Sequence, residues 1–350
     1  LAAAKANGYD NDGVNSVIEM NTPPLSGPYA GNSEYIEVII TSRLRTYFGP
    51  VIGVTRITNA ARAVSRSKPA QYGEMFGGYA LVSLAPHSKC EEGQKRAFWI
   101  HSEATLSLRG GGIFINSDNP DCAFMQFGSG SIRIQDTSPI HVVGGADVKK
   151  PKLISPSPVQ TGAVPIPYPP AVDLPEFSCG QNVATLDEFT GAMSPGAWDG
   201  SEETFPPEGT TSLDGGIYCI HGDVVFNAGV RVEGNGVLIV VADGEFLVRS
   251  GAEVMLSAAN HGKAPGLLIY MPITNHKRVE LNGGPDSSYT GTILAPGGDV
   301  RLNGMGSQRG FHSQIIGYII EVDGQDVIPI TYKDEENYDS FNMPEVLLVE

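Results

Sequence analysis

The sequence predicts a mainly β protein, in which a small N-terminal α/β unit precedes a parallel β-helix (β-solenoid). Three observations predict this class. The 350 residues include 43 glycines and 25 prolines, which suits a chain dense in turns. Only 18 % of the residues are charged, whereas 41 % are hydrophobic, which is enough for a packed core. After residue 210, one glycine followed by four largely apolar residues recurs at intervals of about 20 to 30 residues.

Residues 1–76 are predicted to form the α/β unit. The alanines at the start favour a short helix that ends at Asn7-Gly8. Residues 35–42, Tyr-Ile-Glu-Val-Ile-Ile-Thr-Ser, have the composition of a strand. Residues 43–53 are compatible with a short helix, and residues 54–66 with a second strand.

Residues 77–150 are predicted to form a first β-solenoid segment, because short apolar runs recur there and each is opened by glycine or a turn. Residues 151–210 are predicted to connect this segment to the next. Prolines crowd residues 151–175, where they fix φ and remove backbone donors. This stretch should therefore run extended across a surface or between units.

Residues 211–332 are predicted to form a second β-solenoid segment. The five glycine-plus-four-apolar copies begin at Gly216, Gly236, Gly266, Gly291 and Gly317. A second echo, Val-x-Leu-Asn-Gly, ends at Gly283 and again at Gly304, so Asn282 and Asn303 are expected to stack. One turn of a solenoid cannot bury its inward side chains alone, so stacked turns share a narrow core. A β-sandwich is the alternative, because it also has short strands at regular spacing, but sandwiches do not repeat in sequence.

The four cysteines are Cys90, Cys122, Cys179 and Cys219, and none of them forms a CxxC pair. A zinc ribbon or a thioredoxin-like motif is therefore excluded. An even number of cysteines in a glycine-rich, acidic chain favours two disulfides and an oxidising compartment. Three connectivities are possible, and sequential pairing is preferred because it closes the shortest loops. Four buried free thiols are the alternative.

The charge of the chain restricts its partners. The formal net charge of −16 argues against nucleic acid, because binding phosphate needs a basic face. Residues 43–68 differ from the rest, since they carry six basic residues and no acidic one. This segment is either an ordinary basic surface or a segment that lies close to an anionic membrane or partner. No apolar run reaches the roughly 18–20 residues that span a bilayer.

The chain resembles Tad-type Flp pilus-assembly proteins of the TadE/TadG-like family. The matching N-terminal stretches are Leu1-Ala-Ala-Ala-Lys-Ala-Asn-Gly-Tyr-Asp10, Tyr35-Ile-Glu-Val-Ile-Ile40, Tyr47-Phe-Gly-Pro-Val-Ile-Gly53 and Ala60-Ala-Arg-Ala-Val64. Gly112-Ile-Phe-Ile-Asn-Ser117 and His141-Val-Val-Gly-Gly145 resemble the repetitive extracellular part of large members. The resemblance implies secretion, exposure at the cell surface and a structural or pilus-associated role. It implies membrane attachment only through an N-terminal helix that this sequence lacks, and it supplies no catalytic residues.

No catalytic, cofactor-binding or metal-binding residue is predicted, because the sequence holds no nucleophile elbow, P-loop or H-E-x-x-H motif. Asp10-Asn-Asp-Gly-Val-Asn15 resembles the start of a calcium loop, but Asn21 stands where that loop has a glutamate. An Asx-rich turn is the alternative. Parallel β-helices also host polysaccharide lyases and hydrolases, whose sites cluster carboxylates. The candidates for such a site, which their spacing does not bring together, are Asp286, Asp299, Arg301 and Arg309.

The predicted function is that of a non-catalytic extracellular structural protein of the cell surface, either pilus-associated or filament-forming. The alternatives are an adhesive module that binds a surface polysaccharide and, less favoured, a polysaccharide lyase or hydrolase. The acidic tail, residues 333–350, contains the predicted self-association segment Val346, Leu347, Leu348 and Val349. This segment either folds back as a cap or is donated to the sheet of a neighbouring subunit. Donation is preferred, and it would produce a homo-oligomer or an open filament.

Overall fold

The computed structural model describes residues 2–68, 71–90, 96–172, 174, 177–282, 284–304, 309–342 and 345–348. The contacts divide the chain into two compact units. The first unit combines Leu1–Tyr72 with Phe341–Glu350, and the second is Gly73–Ser340. The predicted acidic tail, residues 333–350, is therefore not a separate segment, because it is divided between the two units.

The first unit is an antiparallel sheet. Its strands, in spatial order, are Ser16–Asn21, Tyr35–Arg45, Arg56–Lys68 and Glu345–Leu348. Its helices are the short α-helix Ala2–Ala6 and the 3-10 turn Gly49–Ile52. The helix expected over residues 43–53 is wrong, because the strand continues to Arg45 and pairs there with Arg56. This unit is a β unit with one short helix rather than an α/β unit.

The C-terminal strand pairs with its own chain. Ser65 lies opposite Leu348, and Lys68 lies opposite Glu345, in the antiparallel register. Donation of Val346, Leu347 and Leu348 to another subunit is therefore not the arrangement in this structure. The pairing has a physical reason, since Arg56–Lys68 would otherwise leave its outer backbone groups unpaired. Val349 lies outside the described residues, and self-association of the chain stays a prediction.

The second unit consists of strands in three rows, which we name A, B and C. Row A is an eleven-stranded sheet, in the spatial order Ile154–Ser155, Ser131–Ile134, Thr105–Arg109, Val327–Thr331, Gly310–His312, Ser288–Thr290, Glu253–Ser257, Arg231–Asn235, Ser212–Leu213, Ala192–Met193 and Leu186–Asp187. All of its described pairings are parallel except that between its last two strands.

Rows B and C form one sixteen-stranded sheet, because the long strands Thr292–Asn303 and Ile315–Asp323 run through both rows. The other strands of row B are Gln160–Thr161, Ile140–Val142, Ile113–Ile115, Leu81–Ser83, Leu267–Tyr270, Val237–Val241, Gly216–His221 and Ala197–Asp199. The other strands of row C are Ala146–Val148, Phe124–Gln126, Phe98–Ile100, Val279–Leu281, Phe246–Val248 and Val224–Phe226. The remaining elements of the chain are the strand pair Gln71–Glu74 and Asp339–Asn342 and the 3-10 turns Met75–Gly78, Pro151–Leu153 and Asp334–Glu336.

The chain visits rows B, C and A in that order, repeatedly and in two sections, except that residues 192–213 pass from row A to row B and back to row A without a strand of row C. The first section runs from Leu81 to Thr161, and the second ends at Thr331. The two sections meet edge to edge in all three rows, where Ile315 pairs with Leu81, Ile320 with Phe98 and Val327 with Thr105. The two sections therefore share continuous sheets, and we call the line where they meet the junction. Both sections extend beyond the predicted solenoid segments, because residues 154–161 and 186–199 of the predicted connecting segment 151–210 also form strands of rows A and B.

The repeated sequence pattern marks the strands of row B. The copies at Gly236 and Gly266 precede strands in matching register, since Ile239 pairs with Ile269. The copies at Gly266 and Gly291 match only at the start, where Leu267 pairs with Thr292, because an irregularity then shifts the register by one residue and Ile269 pairs with Ile293. Two copies are shifted. Gly216 pairs with Val237, one residue beyond the expected glycine, and Gly317 pairs with Ala295 inside its strand. The Val-x-Leu-Asn echo is aligned as expected, because Leu281 pairs with Leu302 immediately before Asn282 and Asn303.

The proline-rich stretch is predicted to run either across a surface or between units, and in the structure it runs across a surface. We call residues 162–172 and 177–179 the strap. Its apolar side chains pack on outward-facing residues of row B; this second, outer apolar cluster includes Val82, Phe114, Leu238, Leu267, Leu294 and Ile316 from row B and Ile166, Tyr168, Val172 and Phe177 from the strap. Row B is therefore covered by apolar contacts on both faces. The outer face of row C is mixed, because Glu280, Arg301 and Glu321 stand there next to apolar side chains such as Leu247 and Met125.

Candidate functional site

The outer face of row C carries a strip of polar side chains that crosses successive strands. Residues alternate between faces along a strand, so the buried Ile320 and Val322 leave Glu321 to point outward. The pairing then places Glu280 beside Arg301, Arg301 beside Glu321, and Glu321 beside Trp99. The residues two positions further along three of these strands, Asn303, Asp323 and His101, point to the same face. We call the whole set the polar strip. Its members are Glu280, Arg301, Asn303, Glu321, Asp323, Trp99 and His101.

Four of these side chains form a network at the junction. His101 Nε2 lies 2.9 Å from Glu321 Oε1, and His101 Nδ1 lies 3.4 Å from Asp323 Oδ1. Arg301 donates from Nη2 to Asp323 Oδ2 at 2.5 Å, and its Nε lies 3.7 Å from Glu321 Oε1. His101 belongs to the first section of the chain, while Glu321 and Asp323 belong to the second. The network therefore links the two sections on the outside of the sheet.

The network stabilises the charged forms of Asp323 and Arg301. Partial burial acts to raise the pKa of Asp323, but hydrogen bonds from Ser102 and Arg301 outweigh it and lower the pKa to about 2. Partial burial acts to lower the pKa of Arg301, but its bond to Asp323 and the nearby carboxylates raise the pKa above its ordinary value. Both groups are therefore ionised across the physiological pH range.

The same atoms bear on whether the strip could hold a metal ion. One ligand atom each from His101, Glu321 and Asp323 lie within 4.8 Å of one another. Both oxygens of Asp323 already accept hydrogen bonds, one from Ser102 and one from Arg301. The guanidinium supplies the positive charge that a cation would bring, so the geometry fits an ion-pair network better than a metal site.

The network also bears on catalysis by a pair of carboxylates. A glycoside hydrolase needs one carboxylic acid that keeps its proton, which requires a raised pKa. The pKa of Asp323 moves in the opposite direction, to about 2. Asp323 is therefore suited to accepting charged hydrogen bonds rather than to being the residue that protonates a leaving group.

A cation–π cluster continues the strip beyond the junction. The guanidinium carbon of Arg96 lies 4.2 Å from the ring centre of Trp99 and 5.1 Å from that of Phe127. The rings of Trp99 and His101 are 4.3 Å apart. Arg96 is buried between these groups, which desolvates the guanidinium and strengthens its attraction to the rings. Trp99 is half-buried in the cluster and is not part of a ladder of freely exposed rings.

The structure separates the four residues that the sequence offered for an enzyme. Asp286 lies beside row A, 3.8 Å from Arg231 Nη1, and Arg309 lies there too, 4.0 Å from Met255 Sδ. Asp299 and Arg301 belong to row C. Sequence reasoning missed His101, Glu321 and Asp323, although a signal was present. Polar and apolar residues alternate in Trp99-Ile-His101 and in Glu321-Val-Asp323, as expected for one outward face.

The two disulfides are confirmed, in the sequential pairing. Cys90 bonds Cys122 with a Cα–Cα distance of 5.5 Å, and Cys179 bonds Cys219 at 6.0 Å. The second bond fastens the strap to row B, since Cys219 lies in the strand Gly216–His221. Two disulfides indicate a compartment other than the reducing cytoplasm.

The calcium-like loop forms an Asx turn. Asp12 Oδ1 accepts backbone hydrogen bonds from Val14, Asn15 and Ser16 at 2.7 to 3.0 Å. Asp12 Oδ2 accepts a bond from the Asn15 amide at 2.8 Å. These donors lower the pKa of the Asp12 carboxyl well below its usual range. Both carboxylate oxygens are thus used by the turn itself, which favours the Asx-turn interpretation over a calcium site.

Two further observations concern membrane-spanning segments and related proteins. Among the residues that the structure describes, none of the helices has both the length and the apolar composition to cross a bilayer. The resemblance to pilus-assembly proteins stays a prediction. Comparisons with protein-family models, with curated proteins and with solved structures give no match to this chain.

Proposed function

We propose that the second unit is a β-helix and that the protein is a non-catalytic structural protein of the cell surface. The order in which the chain visits rows B, C and A supports the β-helix, because each circuit of three strands adds one turn to a stack. Apolar side chains from all three rows contribute to a single buried core, which is the arrangement that a β-helix requires.

The main support for a structural role is that two sections distant in sequence are joined into one continuous set of sheets. The first section would begin in the middle of the stack and wind to one end. The strap would then return along row B, and the second section would wind back to the junction. Hydrogen-bonded strands at the junction, apolar contacts under the strap and two disulfides all hold this body in one shape. A body so constrained suits a rigid extracellular spacer or scaffold.

The outermost strands of the second unit favour a scaffold that does not grow by end-to-end stacking. The last strands of rows A and B at one edge, Ile154–Ser155 and Gln160–Thr161, have two residues each, and prolines follow or separate them. At the other edge, row A ends in the antiparallel pair Leu186–Asp187 and Ala192–Met193. Short strands, prolines and a reversed strand are devices that block pairing with a further strand. The association with a pilus that the resemblance implies would then use side surfaces.

The proposed location can be tested on intact cells that express the protein. An antibody raised against the second unit should label unbroken cells, and the protein should be present in sheared surface fractions together with pili. A cytoplasmic protein of the same cells serves as the control for lysis. Labelling that appears only after the cells are broken would contradict the proposal.

A second candidate function, binding of a surface polysaccharide, is favoured by the polar strip. The strip repeats donors and acceptors at the strand spacing of about 4.8 Å, and its charges are fixed in place by Arg301 and Asp323. An extended, acidic or hydroxyl-rich polymer lying across the strands would meet a polar group on each one. Trp99 would supply an apolar edge beside these groups.

This candidate can be tested by affinity electrophoresis in gels that contain isolated surface polysaccharide. The double variant Arg301→Ala/Glu321→Ala should lose retardation that the wild-type protein shows. The matched control is Arg231→Ala/Glu253→Ala, which removes an ion pair of 2.6 Å from row A. Equal retardation of both variants and the wild type would exclude the strip as the binding face. Release of new reducing ends from the polysaccharide would instead favour an enzyme.

A further inference from the structure

The hairpin of the first unit ends in an exposed apolar tip. Strands Tyr35–Arg45 and Arg56–Lys68 are joined by residues 46–55, which we call the tip. Four large apolar side chains of the tip have exposed fractions of 80 to 95 %, and they are Tyr47, Phe48, Val51 and Ile52. Side chains of this kind normally pack against other groups, so a group of four at one loop marks an interaction surface.

The tip is ordered by its own backbone. The amide of Val54 donates to Gly49 O at 2.8 Å, and the amide of Thr46 donates to Thr55 O at 3.2 Å. Gly49 is required at this point because a Cβ there would lie 2.0 Å from Val54 O. The loop is thus closed on itself in a fixed conformation, and little further ordering is needed when its apolar side chains enter an apolar environment.

The stem below the tip is basic on one face. Arg45 and Arg56 are direct cross-strand partners, and Arg43 lies two residues from Arg45 on the same face. All three side chains are exposed. Further down the strands, Arg62 and Arg66 are paired with Glu37 and Glu34, whereas no carboxylate of the described residues pairs with Arg45 or Arg56. Like charges opposite each other repel, and an anionic surface would remove that cost.

We propose that this hairpin docks the protein on an anionic lipid bilayer, with the tip in the interfacial region and the arginines at the level of the headgroups. Aromatic side chains such as Tyr47 prefer the boundary between headgroups and acyl chains. Each arginine near an anionic surface adds about 1 kcal/mol of attraction, which corresponds to about fivefold in affinity. The order of groups along the hairpin, apolar first and basic behind, matches the order of layers in the bilayer. This proposal does not depend on the polar strip or on pilus association.

Vesicle flotation tests the proposal with the full chain. The wild-type protein should float with vesicles of equal parts phosphatidylglycerol and phosphatidylcholine, and much less with phosphatidylcholine alone. The variant Phe48→Ser/Val51→Ser should bind at least about tenfold more weakly, since it removes two apolar side chains. The variant Arg45→Gln/Arg56→Gln should lose the preference for phosphatidylglycerol and the sensitivity to salt.

Matched controls separate the tip from exposed side chains in general. Two control variants are Leu25→Ser in the first unit and Phe189→Ser in the second unit. Both of these side chains are at least 75 % exposed. Arg133→Gln removes an exposed arginine from row A. All three controls should bind vesicles as the wild type does. Equal weakening by these controls would overturn the assignment to the tip.

A label on the tip gives a direct readout of insertion. The four native cysteines are all held in disulfides, so Val51→Cys provides a single thiol for an environment-sensitive dye. Its emission should shift to the blue on binding, and lipids with quenchers in their acyl chains should quench it. An unshifted label, or no flotation of the wild type, would overturn the proposal. So would a dimer in sedimentation that Phe48→Ser/Val51→Ser abolishes, because the tip would then be a contact between two copies.

Discussion

The two units differ in what lies at the centre of their sheets. In the second unit, side chains from three parallel rows stack as an apolar core, in which Phe98, Tyr289 and Val300 are among the buried members. In the first unit, the antiparallel sheet buries a carboxylate, since Glu37 is fully buried and accepts from Arg62 at 2.6 Å. Val64, which lies opposite Glu37, is also buried, while the most exposed large apolar side chains of the first unit are the four at its tip. In this chain, the stacked parallel rows pack apolar groups continuously, whereas the small antiparallel sheet is centred on the Glu37–Arg62 ion pair.

The largest expected effect is on the apolar stack at the junction. Phe98 and Phe124 are fully buried on adjacent strands of row C, with stacked ring centres 5.4 Å apart. Phe98→Ala should destabilise the second unit by about 3–5 kcal/mol, because it removes a large apolar group and leaves a cavity. Urea unfolding followed by tryptophan fluorescence reports on this unit, because Trp99 and Trp198 both lie in it.

The control for this prediction is Phe189→Ala. The side chain of Phe189 is fully exposed, so its removal should change the free energy of unfolding by no more than about 0.5 kcal/mol. If Phe98→Ala were as mild as this control, the two sections would not share a core at the junction. The contrast between the two units would then lose its basis.

The second effect tests whether the disulfides act on one unit alone. Both bonds lie in the second unit, and Cys179–Cys219 closes a separation of 40 residues. Cys179→Ser/Cys219→Ser should destabilise that unit by about 2–4 kcal/mol, through the freedom it restores to the unfolded chain. Hydrogen exchange of the strand Tyr35–Arg45 in the first unit should stay unchanged. Faster exchange there would show that the units do not unfold independently.

Much of the second unit could be predicted from its sequence, because local patterns fixed its strands. The glycines at Gly236, Gly266 and Gly291 precede neighbouring strands of row B, and the cysteine pairing is the one preferred among three because it closes the shortest loops. The shifted copy at Gly317 shows the limit of the pattern. There the apolar pair Ile315-Ile316 comes before the glycine, so the strand starts earlier than the motif suggests.

What could not be predicted depends on contacts between residues that are distant in sequence. The junction pairs Ile315 with Leu81, and nothing local in either strand indicates its partner. The network of the polar strip could not be predicted for the same reason, because His101 contacts Glu321 only where the two sections meet at the junction. The pairing of Glu345–Leu348 with Arg56–Lys68 was missed for the same reason. Alternation showed which side chains face outward, but it could not show which strand lies beside which.

A third effect concerns the buried carboxylate of the first unit. Hydrogen bonds from Arg62 and Asn21 lower the pKa of Glu37 from 4.5 to about 2. A lowered pKa stabilises the folded unit at pH values above about 4.5, and this stabilisation is lost as the pH falls through about 2. Glu37→Gln should therefore weaken the first unit at neutral pH and flatten its stability between these two pH values. Hydrogen exchange of the strand Tyr35–Arg45 at several pH values measures this difference. Glu19→Gln, on the neighbouring strand, is the control, and a flat profile in the wild type would contradict the prediction.

The smallest effect has the opposite sign and lies in the second unit. Partial burial and the charge of Asp334 raise the pKa of Asp339 above its ordinary value, and partial burial, Asp334 and Asp339 together raise the pKa of Glu74. For an acid with a raised pKa, ionisation costs more in the folded state than in the unfolded state. The penalty is present in full above the folded pKa and disappears as the pH falls below the ordinary pKa of 3.8. Asp339→Asn should therefore stabilise the second unit slightly at neutral pH, and its advantage over the wild type should shrink on acidification. Thermal unfolding of both proteins from neutral pH to about pH 4 measures this gap, with the exposed Asp199→Asn as the control. A gap that widens on acidification would mean that Asp339 is held by a favourable partner, and the two units would then respond to acid in the same direction.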